Sequence, residues 1–189
     1  LYTVDDAKGA ASCFRPCRYG ECVTIADGLR VRFSDIGHLL GSACIEFWLR
    51  EDGNERKIVF SGDVGNIDQP ILNDPLPVAE TDYLVVESTH GNRLHDKPKD
   101  VRAELTEVLQ RAFDRGGSVI IPAFAVGRTQ ELLYLLREIK QKKLVHGHDG
   151  FPVYLDSPLA EEATSVFLQC DADCFDLETQ AVLKSGQNP

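Results

Sequence analysis

The chain reads as an α/β protein in which hairpin strands come first and a parallel sheet flanked by helices follows. Three observations predict this. Leu29-Arg30-Val31-Arg32-Phe33-Ser34-Asp35 alternates apolar with polar residues at period two, the mark of a half-buried strand. From Thr81 onward short apolar runs alternate with segments of helical spacing, the order of βαβ units, whose right-handed crossovers give parallel strands. Hydrophobic residues make up 43% and charged residues 26% of 189 residues, a composition that supports a packed core and excludes a disordered chain.

The elements follow in order. Cys22-Val23-Thr24-Ile25 is a strand that turns at Asp27-Gly28 into the strand Leu29 to Asp35. Ala43 to Leu49 and Lys57 to Phe60 form a second hairpin around Glu51-Asp52-Gly53-Asn54. Tyr83-Leu84-Val85-Val86 is continuously apolar and predicts a strand buried on both faces. Val101, Leu105, Val108, Leu109, Ala112 and Phe113 stripe a helix that Gly116-Gly117 ends. Val119-Ile120-Ile121 predicts the next strand, Leu132 to Ile139 the next helix and Val153-Tyr154-Leu155 a third strand. Ser157-Pro158 pairs a cap residue with proline at the first helical position. The composition changes near Pro98, which places a domain boundary between residues 1–98 and 99–189.

With 20 Lys+Arg against 30 Asp+Glu the net charge is −10, and both sides of residue 98 are acidic, so nonspecific coating of nucleic acid is excluded. No apolar run is long enough to span a bilayer and no secretory leader opens the chain; the expected setting is cytoplasmic. The opening Leu1-Tyr2-Thr3, without methionine, reads as a fragment. The six cysteines contain no CxxC pair and are expected to be buried or half-buried reduced thiols, Cys13 with Cys17 and Cys170 with Cys174 each sharing a helix face.

Two glycine-flanked loops carry the chemistry. Gly37-His38-Leu39-Leu40-Gly41-Ser42 sets a histidine just after a strand, and Ser61-Gly62-Asp63-Val64-Gly65 does the same with an aspartate. Imidazole and carboxylate together suit zinc, iron or manganese, and an aspartate can bridge a metal pair. Glu87-Ser88-Thr89-His90-Gly91 ends an apolar strand with a carboxylate, where desolvation demands a cation or a hydrogen-bond partner.

Together with Ile121-Pro122-Ala123-Phe124-Ala125-Val126-Gly127-Arg128-Thr129-Gln130-Glu131, these motifs resemble, in order and spacing, the β-CASP branch of the metallo-β-lactamase superfamily. The resemblance runs from about Val31 to Ala160 and implies part of an αββα sandwich over residues 1–98 joined to the start of a β-CASP domain over 99–189. It implies a zinc-dependent nuclease, related to ribonuclease J and the polyadenylation nuclease, that hydrolyses RNA through a zinc-bound hydroxide. Two zinc ions are expected in the full-length enzyme. By this resemblance His38 is a metal ligand, Asp63 bridges the metals and is catalytic, and Glu87 is catalytic by orienting a downstream histidine. The family's upstream His-x-His-x-Asp-His cluster and its two later histidine motifs are absent from these 189 residues, so the chain alone is expected to be inactive. His90 replaces the usual tyrosine and reads as a surface substitution, and His146-Gly147-His148-Asp149 reads as a solvated loop.

Phosphate contacts are expected where helices begin at strand ends, because N-terminal N–H groups and the helix dipole favour anions. Gly127 would admit a phosphate oxygen closely, Arg128 would either bind it or pair with Asp156 or Glu131, and Ser157 would either bind or cap. The basic runs Arg93 to Lys99 and Arg137 to Lys143 are candidate tracks for single-stranded RNA. A homodimer is an open alternative among partners, and no membrane is expected. The rival functions are a small-substrate hydrolase on the same scaffold and a non-catalytic β-CASP scaffold; a substrate panel separates the first.

Overall fold

The structure is a computed structural model in which residues 1–94 and 100–185 are described. Two compact units emerge: residues 1–36, 43–63 and 76–87 form the first, and residues 37–42, 64–75 and 88–189 the second.

The first unit opens with helix α1 (Val4–Ser12), which Thr3 and Asp6 cap reciprocally. A five-stranded sheet follows in the order β1 (Cys22–Ala26), β2 (Leu29–Asp35), β3 (Ala43–Glu51), β4 (Asn54–Phe60), β5 (Tyr83–Val85). The first four strands are antiparallel neighbours and β5 runs parallel to β4. Asp52 and Gly53 both hold positive φ, 49° and 80°, the two-residue turn whose twist matches the flanking strands. Register is pinned by a buried carboxylate. Glu46, 1% exposed, accepts from Arg32 Nε (2.8 Å) and Nη2 (2.9 Å) and from Ser34 Oγ (3.0 Å), and meets Lys57 Nζ at 2.6 Å. Arg30, Arg32 and Lys57 also stand over the Trp48 ring, 5.2–5.4 Å from its centroid. Ile36, Cys44 and Val59 form the apolar core, with Val78 packed against it.

The second unit is helical: α2 (Val101–Phe113), α3 (Arg128–Gln141), α4 (Pro158–Gln169), a 3₁₀ turn (Ala172–Cys174) and α5 (Leu177–Lys184). The Gly116-Gly117 stop closes α2 as expected, with Gly117 N donating to Ala112 O at 2.9 Å. One apolar cluster joins Leu109, Leu136, Ile139 and Val145. Another joins Ile71, Tyr134 and Phe175, where Asp176 clasps Ile71: Ile71 N donates to Asp176 Oδ2 (2.9 Å) and Asp176 N to Ile71 O (3.0 Å). That clasp holds Ile71 at φ 77°, a costly conformation for a β-branched residue.

The α/β class is right, but three strand expectations need correction. Val119–Ile121 and Val153–Leu155 form no strand, because no neighbouring strand among the described residues offers them a ladder; Ile120 is 92% and Tyr154 86% exposed. Among the described residues the parallel pairing is thus confined to β4 and β5. Tyr83 to Val86 is exposed rather than buried on both faces, because β5 is the edge of the sheet and pairs on one side only. Cys13, Cys17 and Cys22 are exposed thiols; α1 ends before Cys13, and Cys174 lies in the 3₁₀ turn beyond α4, so neither pair shares a helix face. Among the described residues no helix is long and apolar enough to cross a membrane.

Candidate functional site

Strand order brings the ends of β2, β4 and β5 to one end of the first unit's sheet. Asp35 at the end of β2 pairs with Ala43 at the start of β3, Phe60 at the end of β4 pairs with Ile45, and Val85 at the end of β5 lies beside Phe60. The segments that carry His38, Asp63 and Glu87 follow directly on the ends of β2, β4 and β5.

Within the first unit Ser61 ties two of these segments together. Its N–H donates to Val85 O (2.9 Å), its hydroxyl donates to Gly62 O (2.6 Å), and the same hydroxyl accepts from Glu87 N (3.0 Å). Gly62, at φ 60°, keeps a Cβ off Ala43 O, so the chain turns sharply into Asp63. Asp63 is exposed and Glu87 half-buried.

The second unit holds His38 in a tight loop. His38 N and Leu39 N both donate to Ser42 Oγ at 3.1 Å, and Ser42 N donates to Leu39 O at 2.9 Å. The imidazole is on an exposed residue. Gly65, two residues after Asp63 in sequence, lies against this loop: a Cβ there would sit 1.9 Å from Gly37 O and 2.7 Å from His38 N. Gly127, the cap of α3, has φ 83°, and a Cβ on it would come within 2.4 Å of Leu39 Cδ2. The room left by the missing side chain therefore admits Leu39. Gln130, buried, secures that turn by accepting from Gly127 N (2.7 Å) and donating to Ala125 O (3.1 Å) and Thr164 Oγ1 (3.0 Å). Thr129 Oγ1 donates to Phe124 O at 2.7 Å.

Arg128 takes the carboxylate alternative, pairing with Glu131 at 2.6 Å. Burial raises the Glu131 pKa, and Arg128 opposes that rise. Ser157 caps α4, its hydroxyl accepting from Ala160 N at 3.2 Å. His90 Nδ1 accepts from Arg93 Nε at 3.2 Å. His148 Nε2 meets Asp114 Oδ1 at 3.0 Å and its ring packs edge-on to Phe113, so the His146–Asp149 loop docks on the end of α2. In the run from Arg137 to Lys143, Lys142 pairs with Glu138, Lys143 with Asp149, Lys140 donates to Phe151 O, and Arg137 lies over Tyr134. Of the other basic run, residues 95–99 lie outside the described residues.

Zinc takes four ligands in a closed site, or three and a water in a catalytic one. His38 and Asp63 are chemically suited donors, yet among the described residues no group of three or more His, Cys, Asp or Glu side chains could hold a metal ion. The donor set among the described residues does not complete a zinc centre. Ser61, Gly65 and Gln130 were not singled out as individual residues by sequence reasoning. For Gln130 a signal existed, a Gln three residues after the cap position; Ser61 and Gly65 act on backbone far away in sequence and leave none.

Residues 129–188 match the β-CASP domain family. The chain is 36% identical over 187 residues to a ribonuclease of Thermus thermophilus, covering 98% of this chain and 40% of the relative. It is 34% identical to an RNase J-like protein of Methanocaldococcus jannaschii (88% of this chain, 38% of the relative) and 32% identical to cleavage and polyadenylation specificity factor 73 of Drosophila melanogaster (88% and 24%). The chain thus spans 40% or less of the length of these three relatives. Motifs, domain match and relatives agree, and the chain belongs to the β-CASP branch of the metallo-β-lactamase superfamily.

Proposed function

We propose that this chain is the part of a metal-dependent ribonuclease that joins an αββα sandwich, residues 1–98, to a β-CASP domain starting at residue 99, in a cytoplasmic protein. The observation that carries the reading is the common sheet end from which the segments of His38, Asp63 and Glu87 depart, with Ser61 tying Glu87 to the Asp63 turn. His38 and Asp63 are its contribution to a pair of zinc sites, completed by a His-x-His-x-Asp-His cluster elsewhere in the full-length enzyme. Zinc held there would lower the pKa of a bound water and offset charge on the phosphate.

The chain's own residues bind and position. Ser61 fixes the backbone at Glu87, so that its carboxylate can orient a histidine. The starts of α3 and α4, at Gly127, Arg128 and Ser157, turn positive dipole ends toward the phosphates of single-stranded RNA. Arg128 exchanges Glu131 for phosphate on binding.

A panel of single-stranded RNA, matched DNA, a β-lactam and a thioester, offered to the full-length enzyme, tests the reading. Cleavage of RNA with refusal of the small substrates is expected; hydrolysis of only a small substrate overturns it. The 189 residues alone are expected to release no product from RNA, the outcome the incomplete donor set favours.

A further inference from the structure

The loop Gly37–Ser42 that carries His38 connects β2 to β3 in sequence, yet it belongs to the second unit, with residues 64–75 and 88–189. Three contacts seat it there. Gly37 holds φ 64° with its backbone close against residues 73–75: a Cβ on it would come within 2.7 Å of Asn73 O and 2.9 Å of Pro75 Cδ. Leu39 fills the room beside Gly127. Leu40 packs against the buried cluster of Ile71, Tyr134 and Phe175. His38 lies between these anchors in sequence, so their positions set where its backbone runs.

One member of that cluster is strained. Ile71, 7% exposed, holds φ 77°, where a β-branched side chain crowds its own backbone. Left free, it would relax to negative φ and move its side chain from the place where Leu40 packs. What holds it lies 105 residues away: Ile71 N donates to Asp176 Oδ2 at 2.9 Å, and Asp176 N donates to Ile71 O at 3.0 Å. Leu72 forms an antiparallel bridge with Phe175, and Asn73 Nδ2 donates to Asp173 O at 3.3 Å, so residues 71–73 run against residues 173–176.

The two carboxylate oxygens of Asp176 serve different ends. Oδ1 accepts from Thr179 N at 2.6 Å and caps α5, whereas Oδ2 accepts from Ile71 N. A cap needs only one oxygen. The second oxygen and the returning N–H bond hold a distant segment in a conformation it would not adopt alone, and strain of this kind persists only where its surroundings over-determine it. That segment meets the His38 loop at Gly37 and at Leu40. We propose that Asp176 is a positioning residue for His38, acting through Ile71 and Leu40; the role rests on the proposed reading of His38 as a metal ligand of a ribonuclease. Loss of the clasp displaces His38 without removing a donor. A displacement of about 1 Å at a reacting centre costs on the order of 100-fold in rate, so the effect falls on turnover, while RNA binding belongs to other residues.

Hydrogen–deuterium exchange read by peptide mass spectrometry, together with kcat and KM for a single-stranded RNA, tests this in the full-length enzyme. Asp176→Ser keeps the one oxygen that a cap needs and leaves none for Ile71. Leu40→Ala breaks the other end of the link and leaves Asp176 untouched. Asp100→Ala, which removes the cap of α2, controls for weakening of a helix cap. Asp176→Ser and Leu40→Ala are each expected to speed exchange of residues 37–42 about tenfold, and to lower kcat about tenfold or more while KM moves less than about twofold. The double variant is expected to be no worse than the more severe single one, because both break one link. Asp100→Ala should leave the exchange of residues 37–42 and both kinetic constants within about twofold of the parent. Unchanged exchange of residues 37–42 in Asp176→Ser overturns the proposal. So do losses that multiply in the double variant, or exchange that quickens over the whole chain. The exchange readout needs no turnover: an enzyme that cleaves no RNA, but whose residues 37–42 loosen in both variants, overturns the ribonuclease reading and supports the link from Asp176 to His38.

Discussion

The two units are held together by different physics. In the first, one buried carboxylate organises three strands: Glu46 on β3 gathers Arg32 and Ser34 from β2 and Lys57 from β4, with Trp48 beneath the cations. In the second, stability is divided among helix caps, the Asp176 clasp and apolar clusters around Ile139 and Tyr134. A network around one charge concentrates energy and fixes register, because a slip would bury Glu46 without partners. Caps and apolar contacts are worth about 1 kcal/mol apiece and fail one at a time.

That difference orders the expected effects. Glu46→Gln should be the most damaging, costing about 3–5 kcal/mol by leaving Arg32 and Lys57 without their counter-charge; urea unfolding followed by Trp48 fluorescence measures it. The same network sets a pH response. Burial works against ionisation of Glu46, but hydrogen bonds from Arg32, Lys57 and Ser34 outweigh it and hold the carboxyl at about 2, below its ordinary 4.5. A depressed acid stabilises the fold above its unfolded pKa, so this contribution is intact above about pH 5 and is lost as pH falls toward 2. Acid unfolding monitored at Trp48 is expected to show that loss in the parent and to lack it in Glu46→Gln.

Smaller effects probe the second unit. Gly65→Ala drives a Cβ into Gly37 O and is expected to cost about 2–3 kcal/mol, whereas Gly150→Ala, with nothing within 4 Å, should stay within about 0.5 kcal/mol in thermal unfolding. Ser157→Ala should cost about 1 kcal/mol through loss of the α4 cap, read by the same melt. If Ser157→Ala proved as harmful as Glu46→Gln, the contrast between concentrated and divided stability would be wrong.

The contrast also governs what the sequence reveals. The β1–β4 meander is legible because its period-two alternation and its Asp-Gly turns are local, and local signals set antiparallel register. Apolar runs such as Val119–Ile121 announce a need for burial without naming a partner, and here no ladder is supplied. Helix α1 went unpredicted because it has no buried face; its signature is the Thr3–Asp6 capping box. Likewise His38, Asp63 and Glu87 stand out by residue type and glycine flanks. Ser61, which positions Glu87 across 26 residues of sequence, is visible only once β5 lies beside β4.

The central claim is that the sheet end bearing Asp63 contributes to a metal-dependent nuclease centre. Asp63→Asn in the full-length enzyme tests it most directly, by the rate of RNA cleavage together with bound zinc per chain and an unchanged melting curve. The account predicts cleavage reduced to background and less zinc retained. Near-normal cleavage by a folded Asp63→Asn enzyme would contradict it.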